Sequence, residues 1–315
     1  MIARLGFVAS VLSEDISTSR TCRLKNATPD RLRELTEENL RALRAVLTFL
    51  ERHRIRLYRI SSNVVPFASH PANTTRWWKE YAGRLHALGT RIRTLGIRVS
   101  MHPGQYTVLN SPNTAIVQAA TAELDYHARL LDALDAPPAS KIVLHIGGLY
   151  GGTEEAAMER FVAAAERRPT AVLRRLVVEN DDRLFDAEEA LAVARRLRIP
   201  VVFDWLHHQA NPCRRPVDEV LTEIFATWRE VDGRPKVHLS TQARGGPPGA
   251  HADYVAPDDV RAFLRVAPDR PFDCMLEAKQ KDRAVLRLRT ELAALGIRES
   301  DGSPVEARRV TRRRA

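Results

Sequence analysis

Cysteine is scarce. Cys22, Cys213 and Cys274 are the only three in 315 residues, odd in number, far apart and without a Cys-x-x-Cys pair. That spacing excludes a disulfide framework and a zinc ribbon and leaves the thiols as reduced bystanders. Long apolar runs are lacking too. Nowhere do the roughly 18 consecutive apolar residues of a membrane-spanning helix occur. MIARLGFVAS opens directly into a strand pattern, without the apolar region and small-residue cleavage site of a secretory signal. A soluble cytoplasmic protein with no membrane partner is expected. Lysine is scarce beside arginine, so the formal net charge of +10 is carried mainly by guanidinium groups, whose planar forks suit phosphate. This points to a polyanionic partner, although an arginine-rich proteome or a basic tail would give the same total.

What is present is one pattern, repeated. In Val201 to His208, VVFDWLHH, an apolar run ends abruptly in a carboxylate, an aromatic and two histidines. Such a run reads as a buried parallel strand whose end carries chemistry. Asp204 and His207, three residues apart, could point at one ion across a tight turn, offering a hard oxygen and a borderline nitrogen. Alone, an ordinary charged strand-to-helix loop would explain the pair. The same ending recurs, however, in VSMH (His102), IVLHIGG (His145), LVVEND (Glu179), PKVHLS (His238) and CMLEAK (Glu277). Six convergent strand ends make a site.

The strand patterns cover 2–8, 55–60, 97–102, 141–145, the runs ending at Glu179 and Asp204, 236–240 and the run ending at Glu277. Helical periodicity fills 29–53, with Thr28 as N-cap and Pro29 at the first position, then 76–95 up to Gly96, 113–134, a helix from Thr153, 187–197, a helix from Pro257, and 283–295. Strict alternation without a composition break predicts an α/β protein with a single (β/α)8 TIM barrel over 1–295, its site at the C-terminal strand ends. Residues 296–315, poor in apolar side chains and basic at the end, read as a flexible basic tail.

His251, in the loop QARGGPPGAHADY, joins the strand-end residues, so the candidate ligands are His102, His145, Glu179, Asp204, His207, His238, His251 and Glu277. One ion takes about four to six groups including water, so this set implies two or three ions, with Glu179 as the bridging carboxylate. His53, His86 and His127 lie in helical patterns and read as hydrogen-bonded structural residues. Lys236 shares a strand face with His238, where an ammonium would oppose bound cations. It is either aimed at substrate phosphate or altered covalently, for instance by carboxylation. His70, in the long loop after the second strand, and His208 are candidates for phosphate or outer contacts to the ions. Glu179, Lys236 and His70 form the catalytic set. PGQY turns out of the third strand and presents Gln105 and Tyr106 beyond His102. Gly147, Gly148, Gly151 and Gly152 could admit a phosphate backbone, although such turns are more often merely turns. Multi-ion sites of this kind hydrolyse phosphodiesters. A metal-dependent sugar isomerase also gathers such residues in a barrel, but it needs a closed pocket and fits the protruding PGQY and the basic charge poorly. A DNA-binding protein with a decayed site is opposed by the complete ligand set.

At these residues the sequence resembles the UV damage endonucleases, the UvsE/UvdE family, over roughly 1–295. The matching stretches are LYRISSNVVPFASHP, SMHPGQYTVLNSP, HIGGLYG, LVVENDD, VFDWLHH, PKVHLS, AHADYV and MLEAKQKD, in that order. The resemblance implies a barrel similar to apurinic endonucleases of the endonuclease IV class. It also implies incision of damaged double-stranded DNA immediately 5' of a lesion, a 3'-hydroxyl product and entry into alternative excision repair. A centre of three divalent ions, manganese or zinc, is implied, held by the eight residues named, with N6-carboxylysine at Lys236. Gln105 and Tyr106 correspond to the lesion-probing pair. A nucleoid-associated monomer without an obligatory protein partner is expected.

Overall fold

Strand alternation decides where each functional side chain points. The structure is a computed structural model that describes residues 1–300. Its strands are β1 (Ile2–Val8), β2 (Leu57–Arg59), β3 (Arg98–Ser100), β4 (Ile142–His145), β5 (Leu176–Glu179), β6 (Val201–Asp204), β7 (Lys236–Leu239) and β8 (Phe272–Leu276). They pair in parallel in the order β3-β2-β1-β8-β7-β6-β5-β4. A parallel bridge between Met101 and Ile142 joins the two outer strands, with Met101 N donating to Lys141 O at 2.9 Å and Val143 N to Met101 O at 3.0 Å. The ring is the expected (β/α)8 barrel.

Around it lie α1 (Pro29–Arg52), α2 (Trp77–Glu80), α3 (Ala82–Thr94), α4 (Thr114–Ala133), α5 (Glu154–Glu166), α6 (Thr170–Leu173), α7 (Ala187–Leu197), α8 (Trp205–Ala210), α9 (Val217–Ala226), α10 (Pro257–Val266) and α11 (Lys281–Ala294). Thr28 caps α1, its hydroxyl accepting from Arg31 N at 3.3 Å. The helix expected over 76–95 is two pieces, because Tyr81 leaves helical geometry (φ −108°, ψ 16°) while its hydroxyl donates to Arg33 O. Two helices that periodicity did not suggest, α8 and α9, lie between β6 and β7. In α9 the buried Val220, Leu221, Ile224 and Phe225 repeat at one-turn spacing.

Odd and even strand positions separate the core into two. Outward residues such as Phe7, Tyr58, Phe203 and Phe272 pack under the helices, with Phe7 edge-on to Phe49 at 6.1 Å and to Tyr58 at 5.6 Å. Each such burial stabilises the fold by roughly 1.5–3 kcal/mol. Inward residues Val143, Val177 and Val202 form a separate apolar cluster with Trp228. Gly6 faces inward as well, where an added Cβ would lie 2.3 Å from Leu57 O, so the ring closes there only around glycine.

Below the valines, at the N-terminal strand ends, sits an ionic floor. Arg98 donates to Asp273 Oδ2 at 3.0 Å, to the carbonyls of Arg234 and Asp232 at 2.7 and 2.9 Å, and from Nε to Ala139 O at 3.1 Å. Lys141 Nζ pairs with Asp232 Oδ1 at 2.6 Å. The first residues of the expected tail are docked: Glu299 accepts from Leu5 N at 3.1 Å and pairs with Arg289, and Ser300 N donates to Ile2 O at 3.1 Å. The rest of that segment, 301–315, lies outside the described residues. Among the described residues no helix is long and apolar enough to cross a membrane.

Candidate metal centre

The alternation that sends valines inward at mid-barrel sends the next inward position of β4, β5 and β6 to His145, Glu179 and Asp204. In register His145 pairs with Glu179, and Asp204 with His238 of β7. His102 and Glu277 lie just beyond β3 and β8. Asp204 ends its strand and caps α8, its Oδ1 accepting from His207 N at 2.8 Å, so His207 is brought round within one turn. The result is three groups whose candidate ligand atoms lie within 4.8 Å of one another: His102, His145 and Glu179; Glu179, His238 and Glu277; Glu179, Asp204 and His207. Glu179 belongs to all three. It is 1% exposed. Its Oε2 lies 3.1 Å from His102 Nε2 and 3.4 Å from His145 Nε2, and its Oε1 contacts His238 Nδ1.

Burial alone would push the Glu179 carboxyl up, but His238 and His145, with hydrogen bonds from His102 and His238, hold it well below the usual carboxylate range. Burial also opposes the charge on Glu277, where Arg59 and His238 prevail and depress its pKa strongly. Asp204 is pushed up to about 7, by burial first and by the neighbouring Glu179 and Glu277, against the pull of His207. His207 is lowered by burial yet raised to about 9 overall by Asp204 and Glu179. Burial takes His238 down to about 4 and lowers His145. Three carboxylates crowded in a low-dielectric end call for cations.

The tautomers fit that demand. His102 Nδ1 donates to Pro103 O at 3.0 Å, which leaves Nε2 facing Glu179 Oε2. Two lone pairs 3.1 Å apart repel unless a proton or a cation lies among them. His207 Nδ1 likewise donates to Asn180 O at 3.0 Å, which makes Nε2 the nitrogen from which a cation would displace a proton. Asp204 Oδ2 and His145 Nδ1 are buried without a hydrogen-bond partner. The donor set, imidazole nitrogens with carboxylate oxygens, suits zinc or manganese.

Two residues that sequence reasoning passed over organise this centre. Arg59, inward on β2 and buried, donates from Nη2 to His238 Nε2 at 2.8 Å and pairs with Glu277, which leaves the His238 proton on Nδ1 facing Glu179. Asn180 accepts from Asp204 N at 2.9 Å and donates to Asp204 O at 3.1 Å, and its own carbonyl orients His207. The signal for Arg59 was its place two residues after Leu57 in LYRIS, on the inward face; Asn180 directly follows Glu179.

The other expected residues are spread around this core. His251 reaches Glu277 Oε2 at 3.9 Å from the loop after β7, outside the three close groups. Lys236 is one inward layer below His238, 1% exposed, with Nζ unpartnered. Burial, then Arg59 and Arg98, lower its pKa far below the usual lysine value. Gln105 and Tyr106 project from the loop after β3, with Tyr106 76% exposed. His70 is exposed, its Nδ1 accepting from Ala72 N at 3.1 Å and its ring edge-on to Phe67, and it makes no hydrogen bond to the cluster. His208 is buried against Phe203 and Trp205, outside the three close groups. His127 is fully buried, with Nδ1 donating to Glu123 O at 2.7 Å; the Ser62 hydroxyl lies 2.9 Å from both His127 Nε2 and His102 O.

Known proteins resemble this chain over nearly its whole length. The family described as UV-endonuclease UvdE matches residues 3–306. The UV DNA damage endonuclease of Bacillus cereus (strain ATCC 10987 / NRS 248) is 35% identical over 317 residues, covering 97% of this chain and 100% of that one. The crystal structure of SacUVDE superposes with a TM-score of 0.87 at 34% identity, over 93% of this chain and 99% of that chain. Endonuclease IV from Thermus thermophilus shares the fold alone, with a TM-score of 0.56 at 16% identity over 92% of this chain and 99% of its own. Since the match runs through every strand that contributes to the cluster, and the relative is covered end to end, the chain belongs to the UV-endonuclease family, UvdE.

Proposed function

We propose that this member of the UV-endonuclease family hydrolyses the phosphodiester immediately 5' of UV photoproducts and other distorting lesions in duplex DNA, leaving a 3'-hydroxyl and opening an alternative excision route, with divalent metal ions as cofactors. The observation that carries this reading is Glu179, common to three groups of candidate ligands at the C-terminal barrel mouth. A carboxylate shared in this way suits three ions, held by His102 and His145, by Asp204 and His207, and by His238 and Glu277, with His251 at the rim. Manganese is the expected metal and zinc is compatible. Bound there, the ions would lower the pKa of water to about 7 and stabilise charge on the attacking and leaving oxygens.

The protein's own part is to aim these donors. Pro103 O and Asn180 O take the distal protons of His102 and His207, and Arg59 fixes the ring of His238. Lys236 is buried where its ammonium form is disfavoured, and its amine form can add to carbon dioxide; the carbamate so formed, with release of a proton, would be an additional anionic ligand. Exposed His70 serves as a contact to phosphate beside the cut. The enzyme is expected to act as a nucleoid-associated monomer.

Nicking of irradiated and unirradiated plasmid with manganese, with and without chelator, tests the reading. Only the irradiated, unchelated sample should be nicked, and a polymerase should extend the 3' end; equal nicking of both plasmids would sink it. If about six phosphates are contacted, the log-log slope of affinity on salt should be near 5 in magnitude. A slope near zero would point to a small-molecule enzyme such as an isomerase. Gln105 and Tyr106 are the wedge that tests stacking, entering where a lesion has lowered the cost of opening the duplex. Gln105→Ala/Tyr106→Ala should keep its metals and its weak affinity for undamaged duplex yet lose most of its preference for irradiated DNA, as competition binding would report.

A further inference from the structure

Tyr150 stands in the glycine-rich loop after β4, 45% exposed and at φ +55°. The left-handed region is rarely adopted by a bulky side chain and persists only where the surroundings enforce it. Here they do. Asn110, fully buried, donates from Nδ2 to Gly148 O at 2.8 Å, and Arg160 ties the same corner by donating to Asn110 O at 2.8 Å and to Leu149 O at 3.2 Å. Asn110 belongs to the loop that carries Gln105 and Tyr106, so these bonds make one rigid body of the two loops. Their tyrosines are arranged alike. The Tyr106 ring covers Gly104, where an added Cβ would come within 2.6 Å of it, and the Tyr150 ring covers Gly148, where the distance would be 3.4 Å.

Both loops line a cavity of about 540 Å³ that reaches His102, His145 and His207 on one side and Asp181, Asp182, Arg183 and Leu184 on another. That volume lies in the range of pockets for compact organic ligands. Two carboxylates against one guanidinium repel a phosphate, whereas they suit the N–H donors of a nucleobase, and an exposed aromatic ring suits its face. We infer that Tyr150 is a second stacking residue: a base that leaves the damaged duplex enters the cavity between the two loops and stacks on Tyr150, while Tyr106 occupies the gap in the helix. This rests on the reading that the substrate is lesion-bearing duplex DNA.

The test uses the full-length, metal-loaded protein and matched duplexes with and without one photoproduct, carrying 2-aminopurine beside or opposite the lesion. Tyr150→Gly and Tyr150→Ala should weaken binding of the damaged duplex about tenfold, with less than about a twofold change for the undamaged one. Tyr150→Phe, which keeps the ring, should stay within about twofold of the parent. The parent and Tyr150→Phe should quench 2-aminopurine relative to Tyr150→Gly. Tyr150→Gly relieves the left-handed backbone and so should melt no lower than the parent, which separates loss of the ring from loss of the fold. Unchanged discrimination and quenching in Tyr150→Gly would overturn the role of Tyr150 alone. Equal binding of both duplexes by the parent protein would overturn the substrate reading and this inference with it.

Discussion

The two ends of this barrel bury charge in opposite ways, and two lysines make the contrast plain. Lys141 and Lys236 are each 1% exposed. At the N-terminal end Lys141 donates to Asp232 and to Arg174 O, and Arg98 beside it finds an acceptor for every guanidinium nitrogen. Lys236 opens β7 in register with Asp273, yet its Nζ has no hydrogen-bond partner, and Asp204 Oδ2 and His145 Nδ1 are orphaned above it at the strand ends. Desolvating a polar group without a partner costs on the order of 1–3 kcal/mol; at the lower end this falls on Arg4 Nε and Asp273 Oδ1, opposite charges that still face each other at 3.8 Å, whereas at the upper end it falls on candidate ligand atoms. At one end every buried charge has an opposite charge beside it. The other is left open for what binds there, and that division, rather than the mere presence of charged residues in a core, marks the upper end as the site.

The largest effect should come from the residue that closes the open end. Glu179→Ala removes the carboxylate common to all three groups, and the loss of several kcal/mol of charge stabilisation should slow incision by about a thousandfold or more. DNA binding should be largely spared, because the phosphate-contacting surface is untouched. Near-normal nicking by this variant would refute the bridging role. The lysines then test the contrast directly. Lys141→Met leaves Asp232 buried with part of its charge uncompensated and should cost about 3 kcal/mol in urea denaturation. Lys236→Met removes an unpartnered amine, so metal-free stability should change by less than about 1 kcal/mol or rise, while metal content and nicking fall. Equal destabilisation by the two substitutions would erase the distinction between the paired and the unpartnered lysine.

The eight strands and the strand-end cluster were legible because an apolar run that stops at His, Asp or Glu is a local signal. The missing parts are those whose meaning depends on curvature. Arg59 in a three-residue strand resembles a solvent-facing arginine until the ring closes and turns its face toward Glu277 and His238. His208 follows His207 in sequence, but on α8 adjacent residues diverge by about 100°, so one reaches the cluster and the other packs on Phe203. Asn180 acts through two backbone atoms of Asp204 and the ring of His207, contacts that no spacing encodes. The helix α9 lay unread behind Pro216, between two strand ends that drew the attention. Tyr150 was invisible for another reason: its glycine neighbours read as a turn, and only the backbone angle and the shared cavity set it apart.

A finer version of the contrast lies within the upper end, between histidines that face the cluster and His127, which is satisfied by protein alone. His127 is fully buried, and burial lowers its pKa to about 4 against an ordinary value of 6.5. The folded value lies below the unfolded one, so the unfolded chain binds the extra proton between them. Stability from neutral His127 is therefore complete above about pH 6.5 and is lost as pH falls toward 4, by about 3 kcal/mol over the whole window and about 2 kcal/mol by pH 5. His127→Gln cannot titrate. It should be less stable than the parent at pH 8, through the disturbed bonds to Glu123 O and Ser62, and the gap should narrow by about 2 kcal/mol at pH 5. Urea denaturation of chelated protein at the two pH values measures this without interference from bound ions. A gap that stays constant would mean that His127 is protonated with little cost in the fold, and that the Ser62 link to the His102 carbonyl does not depend on a neutral ring.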